Sequence, residues 1–229
     1  MKRYLIFTVF IVLAANIMAQ GDMKETIGMV KKNLIESKAN LKRYEWIETT
    51  TTFLDGAQKS VKQKQCYYSV DGKLVKVETG GSTQAKTPGG LRGKIAANKK
   101  EEMADYIEKA LVKIDTYLPP DAVKIEQIYN AGKVSFQVLE PGKKFKLSFP
   151  DYNEPGDLFS LSIDKAAQKL MAGSISTSVG EPDQKVQFDV TFSNLPDGTQ
   201  YAGNTTLDLQ AKKLKIVIEN SGFKKSAGQ

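Results

Sequence analysis

The 229-residue chain contains no histidine, and that absence removes more chemistry than any motif supplies. Ser-His-Asp and Cys-His catalysis, histidine acid–base work and ordinary zinc sites are all excluded. There is one cysteine, Cys66, so no disulfide forms within the chain and stability must come from packing. Cys66 sits in the strand-like run KQKQCYYSV, where a small buried residue is expected rather than a reactive thiol. Long apolar runs are also missing. The longest, Tyr4–Ala15, falls short of the ~20 residues a spanning helix needs.

That run follows Met1-Lys2-Arg3 and precedes Asn16-Ile17-Met18-Ala19-Gln20. A basic start, a short apolar stretch and a small residue before a polar one form the pattern of a secretory signal peptide over residues 1–19. A membrane anchor is the weaker reading, and no cysteine near the cut offers a site for acylation. Cleavage after Ala19 predicts an exported, soluble chain, periplasmic or secreted. Residues 20–229 then form a single domain large enough for a sizeable core.

The formal charge of +7 becomes +5 once Lys2 and Arg3 leave with the signal. The lysines are scattered in pairs such as Lys31-Lys32, Lys99-Lys100, Lys143-Lys144 and Lys212-Lys213. Nucleic-acid binding calls for one dense basic patch with interleaved aromatics, which is absent. An anionic membrane surface or a lipid headgroup is the partner more compatible with export.

A helix opens the mature chain. Asp22 and Glu25 have capping-box spacing, and Met23, Ile27, Val30 and Leu34 recur on one helical face. Three strands follow, at 44–54, 58–69 and 74–79, turned by Asp55-Gly56 and Asp71-Gly72 as an antiparallel meander. Residues 80–90 (GGSTQAKTPGG) read as a flexible loop, and 91–131 as a helical insertion. Within it Met103, Ile107, Leu111, Ile114 and Leu118 predict the buried face of a helix over 94–118. Pro119-Pro120 stops that helix, and a short one over 121–131 closes at Gly132. Seven further strands are predicted at 133–139, 144–150, 158–163, 168–179, 184–194, 200–209 and 213–220. Val186, Phe188, Val190 and Phe192 alternate with Gln187, Asp189 and Thr191, so one face is apolar and needs a cover. The fold class is therefore α+β: about ten antiparallel strands in one curved sheet, an incomplete β-barrel, with helices packed in its concave face.

Catalytic devices are weak. Gly89-Gly90-Leu91-Arg92-Gly93-Lys94-Ile95 lacks the spacing and the Ser/Thr of a phosphate loop. Glu45/Glu48 and Glu101/Glu102 are carboxylate pairs that read better as solvated faces than as a hydrolase centre. Asp151, Asn153, Glu154 and Asp157 form an oxygen-rich loop without the pattern of a calcium loop. Asn204-Thr205-Thr206 matches a glycosylation sequon. No motif calls for a cofactor or a metal. The aromatic residues Trp46, Phe53, Phe136, Phe145, Phe149, Phe188 and Phe192 lie in predicted strands and are the candidate lining of an apolar cavity. An ordinary filled core is the competing reading.

Tyr44-Glu45-Trp46 after the first helix, and Ile163-Asp164-Lys165 through Lys169-Leu170, are stretches in which the chain resembles the periplasmic lipoprotein carrier and sorting proteins, the LolA/LolB-like superfamily. Asn194-Leu195-Pro196-Asp197-Gly198 to Tyr201 is similar to related secreted proteins of unassigned function. The resemblance implies an incomplete barrel closed by helices around an apolar cavity, in a host with two membranes. It carries over no catalytic residues, and implies a lipid acyl chain or a lipid-modified protein as ligand. The expected function is thus non-catalytic binding, with lipoprotein sorting as one form of it. An exported structural or interaction protein with a filled core is the alternative. A carboxylate-dependent hydrolase using Glu45, Glu48 or Asp157 is the third.

Overall fold

A computed structural model describes residues 25–80 and 90–226. The expected signal peptide, Asp22, Met23 and most of the 80–90 loop lie outside the described residues. Helix α1 runs through residues 25–41. The meander β1 (Tyr44–Leu54), β2 (Ala57–Tyr68) and β3 (Leu74–Glu78) follows, then helices α2 (Gly90–Asp115) and α3 (Ala122–Asn130). The chain finishes as β4 (Ser135–Glu140), β5 (Lys144–Pro150), β6 (Leu158–Asp164), β7 (Lys169–Ser178), β8 (Lys185–Asn194), β9 (Gln200–Leu209) and β10 (Leu214–Lys225). The predicted elements are present, most within one or two residues of their expected ends.

All ten strands form one antiparallel sheet in the order β3-β2-β1-β10-β9-β8-β7-β6-β5-β4. The first meander and the last are joined where β1 pairs with β10, from Leu54↔Leu214 to Tyr44↔Lys225. Edges remain at β3 and β4, so the sheet is an open, incomplete barrel. Strand β10 runs past its predicted end at residue 220. In the structure Gly222 has φ +65°, and a bulge there lets β10 continue to Lys225. Asp55-Gly56, both with positive φ, turn β1 into β2 as predicted.

The helices cover one face, called here the inner face. Val30 of α1 and Tyr106, Ala110, Ile114 and Tyr117 of the α2 segment pack with Phe145, Leu147, Phe149, Phe159, Ile163, Ile175, Val186, Leu207 and Leu209 in one core. Each large side chain buried there contributes about 1.5–3 kcal/mol. The α2 face is rotated from the sequence expectation. Ile114 is buried and Met103 and Ile107 are partly so, but Leu111 and Leu118 are each 45% exposed. Two tyrosines displace them: their rings bring more apolar area than leucine, and Ala110 lets the helix lie close to the sheet. Asp121 caps α3, its carboxylate accepting from the Val123 and Lys124 amides.

Candidate functional site

The inner face changes character along the sheet. From β5 to β10 cross-strand neighbours are apolar in register: Phe149↔Phe159↔Ile175↔Phe188↔Leu207↔Ile216. At β1 the same row meets Thr52, and the next meets Thr50. Beyond them the inner positions of β1–β3 hold Glu48, Lys62, Lys64 and Lys76. The apolar part is the one the helices cover.

Four of the seven candidate lining residues lie on that part. Phe145 and Phe149 are buried, and Phe188 and Phe192 pack against the core. Phe136 is on β4 opposite Leu147 and shares its face. Its ring is 52% exposed and stacks on Phe145 with centroids 5.3 Å apart. Val138, opposite Phe145, is 55% exposed. The apolar face therefore runs out into solvent at the β4 edge.

Trp46 and Phe53 are placed elsewhere. Trp46 is inward on β1 but stands apart from the core, stacked on Phe223 at 5.5 Å, with its indole N–H donating to Asn220 Oδ1. Phe53 lies on the outer face, since it is paired with Lys215 between the core residues Leu54 and Thr52's partner Ile216. Strand alternation makes this unavoidable, and it removes Phe53 from any surface shared with the other six.

What fastens the helical cover is a buried polar cluster that the sequence expectation assigned to a loop. Tyr117, fully buried, donates its hydroxyl to Asp157 Oδ2 at 2.6 Å and meets Thr177 Oγ1 at 3.0 Å. Asp157 also accepts from the backbone amides of Tyr152, Asn153 (2.8 Å) and Glu154 (3.0 Å). Burial, then the hydrogen bond to Asp157, pushes the Tyr117 hydroxyl well above the ordinary tyrosine range. Lys113 donates to Glu154 at 2.6 Å and holds that carboxyl below its usual value. The oxygen-rich loop is thus turned inward on its own amides. Its one legible signal was the density of Asp and Asn between two strands.

The other carboxylate pairs do not converge. Glu45 and Glu48 are on opposite faces of β1, Glu45 accepting from Gln65 and Glu48 paired with Lys76 at 2.5 Å. Glu102 accepts from Lys212 at 2.7 Å. Cys66 is buried, and desolvation followed by the Glu48 charge raises its thiol pKa. Among the described residues no group of three or more acidic or cysteine side chains is arranged to hold a metal. The phosphate-loop-like stretch straddles the start of α2 at Gly90 and lies partly outside the described residues.

Two open depressions lie on the surface of the described residues. One, of about 440 Å³, lies between α2, the 154–157 turn and the β7–β8 turn, with Lys109, Lys113, Glu154 and Lys185 on its walls. The other, about 670 Å³, is on the outer face around Phe53. Neither is lined by the inner aromatic residues, whose surface is filled by the helices.

No family model matches the sequence. Curated proteins also give no match. Among solved structures the chain is similar to a DUF1329 family protein from Desulfovibrio piger ATCC 29098, with 7% identity and a TM-score of 0.40 over 90% of this chain and 94% of that one. It is also similar to a LolA superfamily protein from Nitrosomonas europaea, with 10% identity and a TM-score of 0.37 over 87% of this chain and 94% of that one. No helix among the described residues is long and apolar enough to cross a membrane.

Proposed function

We propose that this is an exported, non-catalytic binding protein, periplasmic in a two-membrane host, which holds an acyl chain between its helices and the inner face of the sheet. The observation that carries the reading is the open end of the apolar face at β4, where half-exposed Phe136 continues the stack of buried Phe145. An acyl chain laid on that end enters by displacing helix side chains from the sheet. At ~0.8 kcal/mol per buried CH₂, a dozen methylenes offset the lost helix–sheet contacts. Lys133, two residues before β4 in the chain, is our candidate partner for an anionic headgroup. A free lipid or the acyl group of a lipid-modified protein fits equally, and lipoprotein sorting is the latter case. The scattered lysines suit a stop at an anionic membrane surface.

Native mass spectrometry of gently purified protein, with titration of a fluorescent fatty acid read by energy transfer from Trp46, tests this. The expected results are a co-purified lipid and saturable binding that weakens several-fold in Phe136→Ser. Absence of both overturns the reading and leaves an exported interaction protein whose core is simply filled.

A further inference from the structure

The outer face of the sheet is unlike an ordinary solvated surface. Ser148, Ser160 and Ser174 stand opposite one another on β5, β6 and β7, and the same row continues through Asp189, Thr206, Val217 and Thr51. Their short side chains are tied together: Ser160 bonds Ser148 at 3.0 Å, and Gln187 donates to Ser174 at 2.9 Å and to Asp189 at 2.8 Å. The next row is Gln187↔Asp208↔Lys215↔Phe53, and it ends in the depression of about 670 Å³. Phe53 and Val217 supply its apolar patch, and Asp208, Gln210 and Lys215 its polar walls. The Asp55–Lys213 pair, 3.6 Å apart, closes one end. Asp208 and Lys215, opposite each other on β9 and β10, form no ion pair or side-chain hydrogen bond among the described residues. Both line the depression.

We infer that this depression is a carbohydrate-binding site for a neutral pyranose unit. A sugar ring has an apolar C–H face and a rim of hydroxyls. Phe53 and Val217 match the face, while the Asp208 carboxylate, the Lys215 ammonium and the Gln210 amide match the rim. The charges around the depression balance, Asp55 and Asp208 against Lys213 and Lys215, so a polyanion gains nothing there. Strands β1, β9 and β10 are paired on both sides, so no backbone edge is offered to an extended peptide. The site is on the face opposite the acyl-chain surface and stands or falls independently of it.

The test is amide-resolved NMR of the folded chain titrated separately with cellotetraose, chitotetraose, xylotetraose and maltotetraose at millimolar concentration. At least one is expected to shift the amides of Phe53, Asp208, Gln210, Lys215 and Val217 saturably. Phe53→Ala is expected to weaken that binding about tenfold, and Asp208→Ala, a milder change to the fold, about fivefold. If none of the four moves these residues, or binding survives both substitutions, the inference is overturned. Saturable shifts at the same residues with heparin but none of the neutral sugars overturn it too, in favour of a sulfated polymer.

Discussion

The two ends of the inner sheet face are built on the same alternation and are stabilised in different ways. From β5 to β10 the inward positions are mostly Phe, Leu, Ile and Val beneath helices, and burial of apolar area holds them. On β1–β3 the inward positions carry Glu48, Lys64, Lys76 and Cys66 around Trp46, and Glu48 is buried against Lys76. The lesson is that alternation decides which residues share a face, whereas the cover decides what that face can be made of. A helix needs an apolar partner; a wing at an open edge tolerates paired charges, and inward-pointing charge there also discourages edge-to-edge association.

Substitutions on the two ends separate these modes. Phe149→Ala, at a side chain 1% exposed, is expected to cost about 3–5 kcal/mol in urea unfolding, the largest effect in this set. Asp157→Asn comes next. It removes the charge that receives the Tyr117 hydroxyl and three backbone amides, and it is expected to cost about 2–4 kcal/mol. It also loosens α2, which faster amide exchange at residues 106–117 would show. On the wing, Lys76→Met alone is expected to cost about 1–2 kcal/mol by leaving Glu48 unpaired. Adding Glu48→Gln restores most of that loss, because a partly buried pair contributes little beyond its own desolvation. If the double variant is no better than the single one, the wing is held by the pair itself and the contrast with the helix-covered end is mistaken.

The smallest effect is electrostatic. Tyr44 donates to Asp197 at 2.6 Å, which ties the start of β1 to the β8–β9 turn. That bond, followed by the Thr199 amide, lowers the Asp197 pKa to about 2. The folded value lies below the ordinary ~3.9, so this contribution is present above about pH 4 and is lost as pH falls through 2. The carboxylate is exposed, so Asp197→Asn should flatten the acid limb of the stability profile by only about half a kcal/mol.

Strand positions were legible because the signals are local: tight-turn pairs such as Asp55-Gly56, and unbroken alternation at Val186–Phe192. The face assignment of α2 was less so. Sequence periodicity favoured Leu111 and Leu118, and nothing local shows that Tyr117 finds Asp157, forty residues on. The β1–β10 pairing that makes ten strands into one sheet is likewise long-range. Of the candidate lining residues, the register separates Phe53 from the rest, because neighbours in sequence point to opposite faces. The hydroxyl rows of the outer face were invisible, since each serine becomes meaningful only beside its partner on the next strand.

If an acyl chain binds as proposed, the helical cover moves to admit it and the β1–β3 wing does not. Hydrogen–deuterium exchange of residues 20–229 with and without saturating oleate is the decisive measurement. Altered exchange across α2, α3 and β4 is expected, with amides of β1–β3 unchanged. Identical exchange in both samples, or a change confined to β1–β3, would contradict it.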